Sequence, residues 1–213
     1  MEYDGNAPGV RELAELTINK VSVGQGDNNC YLLRCRSTNE QLLIDAAAEP
    51  QTLLELCGHR LTAVVTTHRH WDHWQRALAE VVAATGARTY AGEPDVEGID
   101  VATDVALTDG DIVRFGAVEL RVIRLTGHTP GSVALLYDDP AGHPHLFTGD
   151  SLFPGGVGNT FGDAEAFDSL LSDVEGKVFD ALPDDTWVYP GHGRDTTLGA
   201  ERPMLPQWRV RGW

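Results

Sequence analysis

The sequence predicts an α/β fold in which two β-sheets pack together and helices cover their outer sides. Short apolar, β-branched segments bounded by turn-forming residues recur in both halves of the 213-residue chain, which is typical of strands. Segments with helical spacing separate and follow them. The chain has no internal repeat or low-complexity linker, and its length suits one core. We therefore expect a single domain over residues 1–213, with residues 1–16 flexible or irregular.

The first half is predicted to open as a β-meander. Turn formers at 24–28 and 37–40 separate the strands predicted at 17–23, 29–35 and 41–45. Pro50 and Gly58 bracket a short helix over 51–57, because proline favours the first helical position and glycine the position after the last. Residues 61–66, LTAVVT, form a continuous apolar run that is typical of a strand buried on both faces.

The rest of the chain is predicted to alternate between helix and strand. Gly86 ends a helix predicted over 75–85, and Asp163 caps the last predicted helix, which Pro183 ends. The later helix would bury Phe167, Leu170, Leu171, Val174 and Val178. Further strands are predicted at 88–91, 111–115, 118–125, 132–137, 144–148 and 187–189.

Composition excludes several classes of partner. The net charge of −16 disfavours a nucleic-acid partner, because phosphate binding requires a surplus of Lys and Arg. No apolar run approaches the ~20 residues that a membrane helix needs, and no apolar signal segment follows the first residues, so we expect a cytoplasmic protein without a membrane partner. Cys30, Cys35 and Cys57 form no C-x-x-C pair and are expected to be buried, reduced thiols.

The most informative segment follows the strand at 61–66. It reads THRHWDH and places His68, His70, Asp72 and His73 within six residues. In an extended chain His68 and His70 point to the same side and can share one metal, while Asp72 and His73 can face a neighbouring one. Imidazole nitrogen and carboxylate oxygen suit zinc, and also iron or manganese. We therefore predict a metal site here, with zinc as the first candidate.

Compatible residues follow three later strands. They are His128 in LTGHTPGS, Asp150 in LFTGDSLF and His192 in VYPGHGRD, each beside a glycine that allows a tight turn. Seven metal ligands can thus converge from four loops. The histidines at 59, 143 and 145 lie near predicted turns without a partner in these motifs, and we expect them at the surface.

These motifs resemble a known group of proteins. H-x-H-x-D-H followed by later His, Asp and His resembles the metal signature of the metallo-β-lactamase superfamily, and HTPGSVALLY, FTGDSLFPGG and PGHGRDTTLGAERP are similar to the glyoxalase II branch, the hydroxyacylglutathione hydrolases. The resemblance implies a four-layer αβ/βα sandwich, the metallo-β-lactamase fold. It also implies two metal sites bridged by Asp150, with His68, His70 and His128 on one ion and Asp72, His73 and His192 on the other.

Two departures from the branch concern the substrate. Trp74 and Gln75 stand where its members usually have small glycines, and with Trp71 they would make the site entrance bulkier. The chain ends at Trp213, where the glutathione-using enzymes continue into a helical domain. We therefore expect the glutathione pocket to be absent or rebuilt.

The predicted activity is hydrolysis. Two metals ~3.5–4 Å apart lower the pKa of a shared water towards ~7 and supply hydroxide as the nucleophile. A thiolate, with a thiol pKa near ~8.5, leaves without a strong general acid, so an S-acyl thioester of a small thiol is the first choice of substrate. With an amide or lactone substrate, Asp72 or metal-bound water could relay the proton. The alternatives are a lactonase or β-lactamase, a mononuclear iron persulfide dioxygenase and a non-enzymatic metal-binding module.

Overall fold

A computed structural model describes residues 9–58 and 60–212. The first of its two large sheets has seven strands in chain order, a meander of antiparallel strands followed by parallel ones from β4 onward. These strands are β1 Gly9–Glu12, β2 Leu16–Val23, β3 Asn28–Cys35, β4 Gln41–Ile44, β5 Leu61–Thr66, β6 Arg88–Gly92 and β7 Val105–Leu107.

The second half of the chain supplies the other strands. They are β8 Ile112–Phe115, β9 Val118–Arg124, β10 Val133–Tyr137, β11 His145–Gly149, β12 Leu152–Phe153, β13 Gly156–Val157, β14 Trp187–Pro190 and β15 Thr196–Thr197. The second sheet has the order β15-β14-β11-β10-β9-β8, and β12 pairs with β13 in a separate hairpin. Within this sheet β11 and β14 run parallel, which places the segments that follow them at the same edge.

Helices cover the outer face of each sheet. They are α1 Pro50–Cys57, α2 Leu78–Thr85, α3 Ala164–Asp173, α4 Leu198–Glu201 and α5 Leu205–Arg211, and a π-helical stretch, Val174–Phe179, continues α3. The predicted caps are confirmed: Pro50 occupies the first turn of α1, Gly86 ends α2 in the left-handed conformation, and Asp163 accepts a hydrogen bond from Ala166 N. Short 3-10 turns lie at Trp71–His73, Glu93–Gly98 and Arg202–Met204.

Three apolar layers hold these elements together. Ile18 and Leu33 of the first sheet pack with Val122 and Leu135 of the second in a central layer. An outer layer lies between the first sheet and helices α1 and α2, and another lies between the second sheet and α3 and α5. The order helix, sheet, sheet, helix confirms the predicted αβ/βα sandwich.

The structure departs from the predicted elements in several places. Gly9–Glu12, within the segment expected to be irregular, forms an edge strand. Helix α2 begins only at Leu78, because the chain before it turns to present the 71–73 segment. The helix capped by Asp163 is not the last, since α4 and α5 follow it.

Two predictions from composition can be compared with the described residues. Cys30, Cys35 and Cys57 are all buried free thiols, as predicted. Among the helices in the described part of the chain, none is both long and apolar enough to cross a membrane.

Candidate metal centre

The seven predicted ligands lie together at one edge of the sandwich. The segment after β5 carries His68, His70, Asp72 and His73. His128 lies in the β9–β10 loop, Asp150 follows β11, and His192 follows β14. Their imidazole nitrogens and carboxylate oxygens form three groups, His68–His70–His128, His68–His73–Asp150 and Asp72–His73–His192, and within each group the atoms lie within 4.8 Å of one another.

The first triad consists of His68, His70 and His128. His70 Nδ1 lies 2.9 Å from His128 Nε2, and the His68 ring centroid lies 4.9 and 4.8 Å from those of His70 and His128. His128 Nδ1 lies 2.8 Å from the Asn159 carbonyl, which can only accept a hydrogen bond. The proton of a neutral His128 is therefore on Nδ1, and the lone pair of Nε2 faces the other two imidazoles.

The second triad consists of Asp72, His73 and His192. His73 Nε2 lies 3.2 Å from His192 Nε2, which in turn lies 3.5 Å from Asp72 Oδ2. The other nitrogen of each ring donates to a fixed acceptor, His73 Nδ1 to Asp45 Oδ2 and His192 Nδ1 to the Gly26 carbonyl, both at 2.9 Å. Both Nε2 atoms are thereby aimed at the same space.

Asp150 lies between the two triads. Its Oδ1 is 3.4 Å from His73 Nε2, and its Oδ2 is 3.7 Å from His128 Nε2 and 3.6 Å from His192 Nε2. One carboxylate thus contacts ligand atoms of both triads. This is the position that a bridging ligand requires.

Two buried atoms at the centre test whether these residues fit metal ions. His68 Nε2 and Asp150 Oδ1 are buried, and among the residues described neither has a hydrogen-bond partner. A buried polar atom without a partner is costly unless an ion or water satisfies it. Neutral imidazoles and carboxylates are ligands for divalent transition metals. The donor set therefore fits metal ions.

The protonation states of the ligands differ between the triads. Burial, followed by the neighbouring His73 and His128, holds the pKa of His68 well below its usual value, and burial with His128 also lowers the pKa of His70. Both rings are therefore neutral at pH 7, ready to coordinate a metal. The hydrogen bond between Asp72 and His192 outweighs burial and holds the pKa of Asp72 below its ordinary range, so this carboxylate is ionised.

His73 behaves differently because two carboxylates face it. Burial lowers its pKa, but Asp45 and Asp150 outweigh burial and raise it to about 10. The same contacts lower the pKa of Asp150 despite its burial. A metal ion in the second triad would therefore have to displace a proton from His73 Nε2, whereas the neutral rings of His68 and His70 would bind without that competition.

Asp45 is a functional residue that the sequence reasoning missed. It is buried at the end of β4 with a positive φ of 57°, and it accepts hydrogen bonds from Thr67 N, Thr67 Oγ1 and His73 Nδ1. It therefore orients both the start of the 67–73 segment and one ligand. In the sequence Asp45 is marked only as a single carboxylate directly after a buried strand, because its partners Thr67 and His73 lie more than twenty residues further along the chain.

Asp95 is a second residue that the sequence reasoning missed. Its fully buried carboxylate accepts hydrogen bonds from Arg69 N, Gly131 N and Thr129 Oγ1. Arg69 lies between His68 and His70, while Thr129 directly follows His128. Asp95 thus ties together the two loops that supply the first triad.

Two expectations about residues near the site are wrong. Trp74 does not make the entrance bulkier: it is 4% exposed, packs in the layer below α2 and donates Nε1 to the Arg69 carbonyl. His145 is not at the surface, because strand β11 buries it completely, with Nδ1 2.9 Å from the Tyr189 hydroxyl. His143 is partly buried, and residue 59 lies outside the described residues. Trp71, as expected, is 54% exposed beside the site.

Comparisons with known proteins agree with this geometry. Residues 23–192 match the model of the metallo-beta-lactamase superfamily. A hydroxyacylglutathione hydrolase of Cereibacter sphaeroides is 37% identical over 189 residues, covering 84% of this chain and 70% of that one. The chain spans 60 to 70% of the length of the hydroxyacylglutathione hydrolases it matches.

Two solved structures share the fold. A B3 metallo-beta-lactamase, BLEG-1, has a TM-score of 0.75 at 26% identity and covers 90% of this chain and 99% of its own. TTHA1623, solved in a di-iron-bound form, has a TM-score of 0.70 at 32% identity over 86% of this chain and 96% of its own. The family match covers most of the chain and includes all seven clustered residues. The chain therefore belongs to the metallo-β-lactamase superfamily, in its glyoxalase II-like branch.

Proposed function

We propose that this protein is a dinuclear metal-dependent hydrolase that cleaves S-acyl thioesters of a small thiol. The observation that carries the proposal is the pair of triads with Asp150 between them, in a chain 37% identical to a hydroxyacylglutathione hydrolase. His68, His70 and His128 would hold one ion, and Asp72, His73 and His192 the other. Asp150 would contact both.

The ions and the protein have separate tasks in this reaction. When bound, two divalent ions activate water and polarise the substrate carbonyl. Asn28 Nδ2 donates to Asp72 Oδ2 at 3.1 Å and so fixes the carboxylate at the edge of the site. Because Asp72 stays ionised, it can accept a proton if the leaving group needs one; a thiolate does not.

We propose zinc as the resident metal. Five imidazoles and two carboxylates suit zinc, and they also suit iron. Iron is supported by TTHA1623, which is 32% identical to this chain and was solved in a di-iron-bound form. Elemental analysis of protein purified without added metal distinguishes the two: we expect zinc in excess, and predominant iron would overturn this part of the proposal.

A substrate panel tests the proposed activity. The metal-loaded protein is assayed with S-lactoyl thioesters of several thiols, a lactone and a β-lactam, and we expect kcat/KM to be highest for a thioester, within the ~10⁴–10⁸ M⁻¹s⁻¹ usual for enzymes. The likeness to a B3 metallo-beta-lactamase makes β-lactam opening the second candidate. Inert thioesters together with rapid β-lactam opening would replace the first activity with the second.

A further inference from the structure

A pocket of about 270 Å³ opens directly beside the second triad. The turn between β2 and β3, residues 24–26, forms one wall together with Asn28. Trp71 and Arg76 also line the pocket, and so does Asp72, one of the predicted metal ligands. A substrate held at the metal centre can therefore extend part of its structure into this pocket.

Arg76 carries the positive charge among the described residues that line the pocket. Its guanidinium carbon lies 5.5 Å from the centroid of the Trp71 ring, a cation–π contact that restrains a long side chain. Within the described part of the chain no carboxylate forms an ion pair with it. Two other exposed arginines do have acidic partners: Arg114 pairs with Glu119, and Arg209 pairs with Glu175.

The acidic group that lines the same pocket, Asp72, is already engaged. Asp72 accepts a hydrogen bond from Asn28 and lies 3.5 Å from His192 Nε2. Its charge is therefore directed toward the metal centre rather than toward Arg76. In a chain of net charge −16, an arginine without an ion pair at the rim of the site provides a local positive charge beside the predicted metal ligands.

We propose that Arg76, held against Trp71, binds a carboxylate of the substrate and selects anionic thioesters over neutral ones. The proposal rests on the function proposed above. A guanidinium matches one carboxylate through two parallel hydrogen bonds, and its restraint by Trp71 lowers the entropy lost on binding. A phosphorylated carrier with several charges would meet one cation on a strongly acidic protein, so a single carboxylate fits better.

Two matched pairs of substrates test the proposal on the metal-loaded protein. S-lactoyl-N-acetylcysteine and its carboxamide differ only in a carboxylate on the thiol part. S-succinyl- and S-butyryl-N-acetylcysteamine differ by a carboxylate on the acyl part. We expect kcat/KM to favour the carboxylate in one pair by about tenfold, the effect of one charge-assisted hydrogen bond. The pair that shows the preference identifies the part of the substrate that enters the pocket.

Arg76→Gln should remove this preference, mainly through KM, and Arg76→Lys should keep part of it. Arg88→Gln is the matched control, because Arg88 is also an exposed arginine over an aromatic ring, Tyr90, and its loss changes the net charge equally. The control should keep the wild-type ratio. Equal ratios in wild type and Arg76→Gln for both pairs would overturn the proposal while leaving thioester hydrolysis intact.

A binding measurement separates this proposal from the proposed reaction. S-propyl-N-acetylcysteine and its carboxamide cannot be hydrolysed, and fluorescence of the exposed Trp71 reports on the pocket. We expect wild type to bind the carboxylate ligand about tenfold more tightly than the carboxamide. Arg76→Gln should bind the two ligands with equal affinity. This result would support the carboxylate site even if every thioester proved inert. Equal affinity for both ligands in wild type would contradict it.

Discussion

At the scale of single residues, the centre depends on acceptors behind the imidazoles. One ring nitrogen of each of three histidines donates a hydrogen bond to a fixed oxygen. His73 donates to Asp45, His128 to the Asn159 carbonyl and His192 to the Gly26 carbonyl. The second nitrogen of each ring thereby faces the site; it carries a lone pair on a neutral ring, and on His73 it does so once its proton leaves. The orientation of the ligands is therefore built into residues that do not contact a metal.

Asp45→Asn should weaken metal binding at the second triad by about 10- to 100-fold. If the oxygen of the new amide keeps the hydrogen bond from Thr67 N, the amide NH₂ faces His73 Nδ1. His73 Nδ1 must then accept a hydrogen bond, so the ring proton moves to Nε2 and blocks metal coordination by that atom. Calorimetric metal titration measures the loss. Asp104→Asn is the control, because Asp104 likewise accepts from the N and Oγ1 of a threonine, Thr89, away from the site. Equal affinities in Asp45→Asn and wild type would contradict the role of Asp45.

His145 should make the fold sensitive to acid. Burial, with His143 and Arg11, lowers its pKa from 6.5 to about 3. In the unfolded chain His145 is protonated below pH 6.5, whereas in the folded chain it stays neutral down to about pH 3. The stability present above pH 6.5 is therefore lost as the pH falls between these two values. The slope is about 1.4 kcal/mol per pH unit. His145→Asn should remove this slope from urea unfolding measured between pH 6 and 4, whereas His143→Asn should keep it. An unchanged slope in His145→Asn would refute the assignment.

At the scale of elements, strand order brings the ligand loops together, and small residues let them approach. Gly191, directly before His192, donates its amide to the Gly149 carbonyl and accepts from Asn29 N. A Cβ added at Gly191 would lie 2.2 Å from Asp150 Oδ1 and 2.8 Å from His73 Cε1. A side chain at this position is therefore incompatible with the two loops as they pack.

Gly191→Ala should lower kcat/KM by about 100-fold, because displacing reacting groups by an ångström has an effect of that order. Gly176→Ala is the control, since a Cβ there meets no atom within 4 Å among those described. Thioester hydrolysis with metal in excess measures both variants. Activity of Gly191→Ala within a fewfold of wild type would show that the loops adjust more readily than the packing indicates.

The sequence predicted those elements whose signals are local. The alternation and β-branching of β2, β5 and β9 and the caps of α1 and α3 are read from neighbouring residues. Strands β1, β7 and β15 have four residues or fewer and lie at sheet edges, where pairing with a distant strand decides the conformation. Asp45 was missed for the same reason: its partners, Thr67 and His73, are distant in sequence and meet it only after folding.

At the scale of the whole molecule, the centre joins the two sheets. The first sheet supplies the 68–73 ligands, while the second supplies His128, Asp150 and His192. Each triad therefore takes residues from both sheets. The THRHWDH segment and the glycine-flanked His128, Asp150 and His192 predicted which side chains cluster, but no local pattern could show how the sheets face each other, because that depends on the shared central layer.

Metal ions should therefore stabilise the packing of one sheet on the other. An ion at 100 times its Kd stabilises the folded state by about 2.7 kcal/mol. For a chain of this size the melting temperature should rise by roughly 5–10 °C for each ion. Differential scanning calorimetry of metal-free and loaded protein measures the shift, which His128→Ala should reduce. Equal melting temperatures with and without metal would show that the ions do not join the sheets.

We propose that seven side chains hold two metal ions that together hydrolyse a thioester. The most direct measurement is titration of metal-free protein with Zn²⁺ while hydrolysis of an S-lactoyl thioester is followed. We predict that activity rises until two equivalents per chain are bound and then stays constant, and that Asp150→Ala abolishes this rise. Full activity at one equivalent, or in the absence of metal, would contradict the claim.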